Sequence, residues 1–267
     1  MHSLFPPPAS PAPASISRRR TLQAMAAALA ATTLPTQARA AANATRAVIG
    51  AAWRGPRASD PNFAGTLVAD WAARTLSFGY TVPLPSRPHG LMAEADGGLL
   101  VCSARPGTWM LRCDGQGKVV TRIDVQGEGE CRLGGHIIAS ADGEQLYTTE
   151  TDFSTGKGRI GVRERRSLRK IAEWDTHGLD PHQLLLDAHG HLFVANGGIP
   201  RTPSDRKFDI HRMDASLVHV DTSNGSLLGK WKVDDARLSL RHMAWSRAPQ
   251  DPDALLGIAM QAEHDLE

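Results

Sequence analysis

Motifs that identify several enzyme classes are missing from this sequence. The glycine-rich segment 127–135 lacks the Lys-Ser/Thr ending and the following helix of a phosphate-binding loop. Neither the Gly-x-Ser-x-Gly pattern of serine hydrolases nor the His-Glu-x-x-His pattern of zinc proteases occurs. The sequence therefore gives no support to the enzyme classes that depend on those motifs.

Cysteine is scarce, and none of its three residues lies in a Cys-x-x-Cys pair. We therefore predict no cysteine nucleophile. Cys102 and Cys113 flank a turn at 105–108 and should lie on neighbouring strands, where a disulfide would need Cα atoms within about 7 Å. The alternative is that both, together with Cys131, are buried as small hydrophobic side chains.

Neither sign of charge is in large excess. The formal net charge is +2, but residues 1–40 carry four Arg and no Asp or Glu, so the remainder has 26 basic against 28 acidic residues. A slightly acidic body lacks the basic surface expected of a nucleic-acid-binding protein. We expect no nucleic-acid partner.

Residues 1–40 have the composition of a twin-arginine signal peptide with a disordered start. Residues 1–16 are rich in Pro, Ala and Ser, and the Ala-rich stretch 24–34 is too short to span a bilayer. The export motif consists of Ser17, Arg18, Arg19 and Leu22, and the cleavage site of Ala38, Ala40 and Ala41. The alternative is a short amphipathic helix. We expect twin-arginine export to the periplasm and no membrane contact after cleavage.

A repeat of short strands occupies the remaining residues, 41–267. Each copy opens with a histidine, followed by an apolar strand and a turn such as Asp96-Gly97 or Asp142-Gly143. The opening residues, which we call the histidine cluster, are His89, His136, His182 and His242, at spacings of 47, 46 and 60. This period predicts an all-β protein, a β-propeller of four-stranded blades. We expect about four to five blades, a first blade at 46–86 that is incomplete, and a C-terminal truncation.

Several segments together resemble the DUF1513 family of uncharacterised, twin-arginine-exported bacterial proteins. They are Pro88–Gly90, Gly135–His136, Tyr147–Asp152, Gly158–Val162, His177–His182, Val194–Ile199 and Arg241–Ala244. The resemblance implies longer, seven-bladed propellers of the quinoprotein and WD40-like type. It also implies genes beside imelysin-type iron-regulated proteins and di-haem oxidases, and hence periplasmic iron-uptake or redox proteins as partners. This chain departs from the family at Gln183, where Glu is more common.

The histidine cluster has two interpretations. The innermost strands of a propeller line its channel, so four opening histidines would face one axis and could hold Fe, Cu or Zn. Alternatively, each histidine bonds the backbone or a hydroxyl of its own blade, as the Gly-His of WD40 repeats does by resemblance. Recurrence in every blade favours this structural role, because a repeated structural need repeats its residue, whereas a binding site usually breaks the symmetry. Buried polar groups need partners in either case.

Other residues are secondary candidates for a ligand site. Glu150 and Asp152 could add carboxylates to a metal, and Arg241, with Arg87 and Arg105, could hold an anion. The segment Asn196, Gly197 and Gly198 can bend sharply towards a ligand and precedes an insertion at 200–215. The basic segment 163–170 is expected to be a solvated edge.

These features favour a non-catalytic periplasmic protein that binds a metal-containing or anionic ligand at the channel mouth. A metal- or quinone-dependent oxidoreductase using the same mouth is the first alternative, and a protein-docking scaffold is the second. The fold does not decide between them.

Overall fold

The computed structural model describes residues 45–264, which form an all-β structure with two short 3₁₀ helices. The predicted export motif and cleavage site lie outside this range. Within it, no helix is long and apolar enough to cross a membrane.

The strands form five antiparallel sheets in chain order. The first sheet has three strands, β1 (Arg46–Arg54), β2 (Asn62–Asp70) and β3 (Thr75–Leu84). The second has β4 (Pro88–Ala93), β5 (Leu99–Ser103), β6 (Trp109–Cys113) and β7 (Val119–Asp124), and the third has β8 (Cys131–Ala139), β9 (Gln145–Asp152), β10 (Gly158–Glu164) and β11 (Lys170–Asp175). The fourth has β12 (Pro181–Leu186), β13 (Leu192–Asn196), β14 (Ser216–Val220) and β15 (Leu227–Trp231), and the fifth has β16 (Leu238–Trp245) and β17 (Leu256–Ala262).

The sheets are propeller blades, as the repeat predicted. In each of the second, third and fourth sheets the four strands pair with their neighbours in sequence. The first strands of successive blades, β4, β8, β12 and β16, pack against one another. They are therefore the innermost strands, and the segment 46–86 is a blade of three strands in this structure.

The tight turns between strands have the backbone conformation that their glycines predict. Gly97, Gly143 and Gly190 have φ values of +85°, +77° and +83°. Gly117 and Gly225, in the turns between the two outermost strands, have φ values of +81° and +77°. These left-handed conformations favour glycine, which explains the recurrence of this residue at the hairpins.

The hydrophobic core consists of layers between neighbouring blades. One layer joins Tyr147 and Ile160 of the third blade to Leu192 and Val194 of the fourth. The cysteines belong to such layers or to their edges. Each is buried and, within the described residues, free of a disulfide, and burial raises the pKa of Cys102 and of Cys131 to about 12.

Replacing a leucine in one of these layers should destabilise the chain strongly. Leu192 is 0% exposed, so Leu192→Ala leaves a cavity between two blades and should lower the free energy of unfolding by about 2–5 kcal/mol. Leu228 on β15 is 48% exposed, and Leu228→Ala should change it by less than about 0.5 kcal/mol. Urea unfolding measures both, and equal losses would contradict the inter-blade core.

Candidate metal centre

Each residue of the histidine cluster lies at a break in strand pairing. The breaks occur on the innermost strands, between Pro88 and Gly90, Leu133 and Ile137, Pro181 and Gln183, and Leu240 and Met243. By contrast, β1, which has no histidine, pairs with β2 without a break. A β-bulge releases a residue from the regular alternation of a strand and redirects its side chain. Here four such bulges accompany four side chains that meet.

The four imidazoles are in mutual contact. The centroids of their rings are between 4.7 and 6.4 Å apart in all six pairings. His89 Nε2 lies 3.0 Å from His136 Nε2, and His182 Nε2 lies 3.4 Å from His242 Nε2. Among the described residues, the ring nitrogens of the cluster bond across blades and not to the backbone or a hydroxyl of their own blade.

Two glycines allow this close approach. A Cβ on Gly135 would lie 2.8–3.0 Å from the ring and Cβ of His89, and the φ of Gly135 is +108°. A Cβ on Gly90 would lie 2.3 Å from the Gly135 carbonyl oxygen. Side chains at these positions would force β4 and β8 apart and separate His89 from His136.

Gln183 determines which nitrogen of His242 carries the proton. Its Oε1 accepts from the Met243 backbone N–H at 2.7 Å, and its Nε2 donates to the Met243 carbonyl at 3.2 Å. The same Oε1 lies 3.2 Å from His242 Nδ1. An amide oxygen can only accept, so the proton is on Nδ1 and the Nε2 lone pair is free. His242 Nε2 can then accept from His182 or bind a metal.

Burial and nearby positive charge favour the neutral form of His89, His136 and His182. Burial, followed by His89, His242 and Arg105, lowers the pKa of His136 to about 3. Burial, followed by His136 and Arg241, lowers the pKa of His182 to about 2. The pKa of His89 is also lowered, mainly by burial. Neutral imidazole is the form that binds metal ions.

An arginine cluster, Arg105, Arg201 and Arg241, surrounds one carboxylate beside the histidines. Asp180 is 5% exposed and accepts from Arg105 Nη1 at 2.9 Å, Arg201 Nε at 3.0 Å and Arg241 Nη1 at 3.1 Å. These residues come from the second blade, the insertion of the fourth blade and the fifth blade. Asp180 therefore connects three parts of the channel mouth. The Nη1 of Arg241, which the sequence suggested for an anionic ligand, forms an ion pair with this carboxylate instead.

The insertion contributes a second carboxylate. Asp205 Oδ1 lies 3.3 Å from Arg105 Nε and 3.1 Å from Arg201 Nη1. It also lines a cavity of about 120 Å³ together with Arg87, Arg105, His89 and His182. The insertion is thus docked against the mouth by its ion pairs.

The segment of Asn196, Gly197 and Gly198 is packed inside the protein. Asn196 is 0% exposed, and its Nδ2 donates to the Thr176 carbonyl at 2.9 Å. A Cβ on Gly197 would lie 2.8 Å from Asp180 Oδ2 and 3.1 Å from Arg241 Nη1. These residues therefore support the Asp180–Arg241 pair from behind rather than present a free surface to a ligand.

Glu150 is committed to a buried ion-pair network. It is 1% exposed, and its carboxylate pairs with Arg163 at 2.8 Å and Lys170 at 2.6 Å. Arg163 is 0% exposed and also pairs with Glu128. The expectation of a solvated edge at 163–170 is therefore wrong for Arg163, because this charge is neutralised inside the blade.

Neither of the suggested carboxylates is directed at the histidines. Cys131 and Glu173 approach Glu150 closely enough to suggest a metal site, but the Lys170 ammonium already bonds both carboxylates. Asp152 accepts from the Ser154 and Thr155 hydroxyls, which lower its pKa to about 2.

Sequence reasoning missed Asp180, Asp205 and the role of Gln183. Asp180 stands two residues before His182 and Gln183 one residue after it, so position relative to the repeated histidine was the available signal. For Asp205, the available signal in the sequence was its position in the insertion. Two partners of Asp180, Arg241 and Arg105, are 61 and 75 residues away in the sequence, and no local pattern reveals such distant contacts.

Residues 82–266 match the model of a family described as "Protein of unknown function (DUF1513)". No curated protein matches the chain. Among solved structures, the WD40 β-propeller domain of Doa1 is 12% identical with a TM-score of 0.48, over 74% of this chain and 57% of that one. A protein of unknown function from Bacteroides caccae is 10% identical with a TM-score of 0.38, over 71% and 73%. This chain thus spans little more than half of the WD40 domain, and neither structure carries an argument about function.

The metal-free chain should lose stability as the pH falls from 7 to 4. The folded pKa values of His136 and His182 are about 3 and about 2, below the ordinary value of about 6.5. In that interval the unfolded chain binds more protons than the folded one, so each histidine contributes a slope of up to about 1.4 kcal/mol per pH unit. Urea unfolding at several pH values measures it. A His136→Gln/His182→Gln variant with the same slope as the parent would contradict this assignment.

Proposed function

The chain belongs to the DUF1513 family, as its motifs predicted, and from that premise we propose that it binds one transition-metal ion at the histidine cluster. The observation that carries the proposal is the convergence of four imidazoles from four blades. The ligand atoms of His89, His136 and His182 lie within 4.8 Å of one another, and His242 Nε2 is 3.4 Å from His182 Nε2.

The spacing of these nitrogens suits a metal ion. Bonds of about 2.0–2.1 Å in a tetrahedral site place neighbouring ligand nitrogens about 3.3–3.4 Å apart. The Nε2–Nε2 distances of 3.0 and 3.4 Å require only a small adjustment to reach this value. A hydrogen bond to the other ring nitrogen, such as Gln183 provides for His242, orients a metal-binding imidazole.

Nitrogen-only donors favour some metals over others. Imidazole suits Zn²⁺ and Cu²⁺ as well as Fe²⁺, and Cu²⁺ is bound most tightly in the usual order of divalent ions. Hard ions prefer oxygen ligands, which the four histidines do not supply. We therefore propose copper or zinc as the ion that the protein's own side chains hold best, with iron as the third candidate.

Metal binding also has a cost in this site. His182 Nδ1 is buried without a hydrogen-bond partner among the described residues. Coordination through Nε2 moves the imidazole proton to that nitrogen, where an unsatisfied donor costs about 1–3 kcal/mol. The metal bonds have to exceed this penalty together with the loss of the two imidazole–imidazole hydrogen bonds.

We further propose that the site functions in the periplasm after twin-arginine export, with iron-uptake or redox proteins as partners. This proposal rests on the leader sequence and on the family resemblance. The oxidoreductase and scaffold interpretations stay predictions, since no observation in the structure favours either.

Elemental analysis tests the metal proposal directly. The chain, stripped with a chelator and then dialysed against Cu²⁺, Zn²⁺ or Fe²⁺, should retain about one ion per chain. His136→Ala/His182→Ala should lose it, whereas His189→Ala/His211→Ala, which removes two exposed histidines outside the cluster, should retain it.

A second double variant guards against misfolding. His89 and His242 are less buried than His136 and His182, so His89→Ala/His242→Ala should fold, as circular dichroism would show, and bind the ion at least tenfold more weakly. Unchanged stoichiometry and affinity in this folded variant, or no ion in the parent, would overturn the proposal.

We expect export to depend on the leader sequence. Arg18→Lys/Arg19→Lys should keep the chain in the cytoplasm, whereas Arg39→Lys, which preserves the same charge near the cleavage site, should leave export unchanged. Fractionation of a host with a twin-arginine pathway measures both. Export of the double variant at the parent's level would contradict the assignment.

A further inference from the structure

We propose that the metal is bound together with a small oxyanion, held by Arg87 and Arg105 in the cavity beside the histidine cluster. The anion would be of the carbonate or oxalate class. The metal part of this inference rests on the proposed function, whereas the anion part rests on charge and geometry alone.

The net charge around the cluster is the first argument. Arg87 and the arginine cluster carry four positive charges, and Asp180 and Asp205 carry two negative charges, which leaves +2. The ion-pair network continues from Arg241 to Glu263 and Lys207, whose charges cancel. A divalent ion would raise the charge of this group of residues from +2 to +4. Such a site opposes a bare cation and favours a cation that arrives with an anion.

Donors without partners are the second argument. The Arg87 side chain makes no hydrogen bond or ion pair with any described residue, although it lines the cavity and its charge contributes to lowering the pKa of His89. Arg105 uses Nη1 for Asp180 and Nε for Asp205, which leaves its Nη2 without a partner in residues 45–264. Two guanidinium groups with free N–H donors are suited to a planar oxyanion.

The position and size of the cavity are the third argument. It is lined by Arg87 and Arg105 and also by His89 and His182, so an anion inside it would touch both the arginines and the metal ligands. Its volume of about 120 Å³ corresponds to about four water molecules at about 30 Å³ each. A small oxyanion fits this space.

The anion would change the chemistry of the site. One or two of its oxygens would add to the nitrogen ligands from the protein and raise the coordination number of the ion above four. Its charge would offset that of the arginines. With oxygen donors present, the same histidines would also accept harder ions such as iron.

Calorimetric titration with oxalate tests the inference. The chain loaded with zinc, with excess metal removed, should bind oxalate at least tenfold more tightly than the metal-free chain. Arg87→Gln should weaken this binding at least tenfold. Arg169→Gln, at an exposed position between β10 and β11, should leave it unchanged. Elemental analysis after the titration verifies that zinc has stayed on the protein, and citrate serves as the larger anion.

The outcomes separate the two proposals. Zinc binding without oxalate binding, or oxalate binding that Arg87→Gln does not weaken, would overturn the oxyanion inference and leave the metal site standing. Failure to load zinc, with oxalate still bound in an Arg87-dependent way, would overturn the metal proposal and retain an anion site. Citrate bound as tightly as oxalate would contradict the small-anion assignment. It would indicate that the arginines hold one carboxylate group of a larger metal-chelating molecule.

Discussion

The break in pairing on each innermost strand that carries a histidine is the constraint on which the site depends. In a regular strand, alternation would direct these side chains into the layers between blades. A bulge removes one to three residues from the ladder and frees a histidine to face its neighbours. Because the innermost strands of successive blades pack against each other, four such bulges bring four imidazoles within contact distance. Fold and site therefore share one repeated feature.

The charges around the histidine cluster determine which ligands we propose for it. Burial and the nearby arginines favour the neutral form of His89, His136 and His182, which is the form that the proposed metal site needs, but the same arginines would repel a cation that came alone. Asp180 offsets part of this charge and fixes three arginines that would otherwise repel one another. The remaining positive charge, with Arg87 unpaired among the described residues, is the reason that we propose a metal and an anion together at this site rather than either one separately.

The repeat made the fold and the meeting of the histidines predictable, because a propeller places equivalent residues around one axis. The turns were predictable because glycine is needed at positive φ. Charged residues were harder to place. Arg163 belongs to a segment with the composition of a protein surface, yet it forms an ion pair with Glu150 inside a blade. Asn196 is likewise enclosed by the segments around it. Alternation along a strand identifies two faces but does not tell which face meets the next blade. Asp180 was not predicted, because its partners come from distant parts of the chain.

X-ray absorption at the metal edge of the loaded protein tests the central claim most directly, since it reports the atoms bound to the ion. The account predicts at least three imidazole nitrogens at about 2.0–2.1 Å, with the outer-shell scattering typical of imidazole. A first shell without imidazole, composed only of oxygen or sulfur, would show that the four histidines meet for a structural reason and that the metal binds elsewhere.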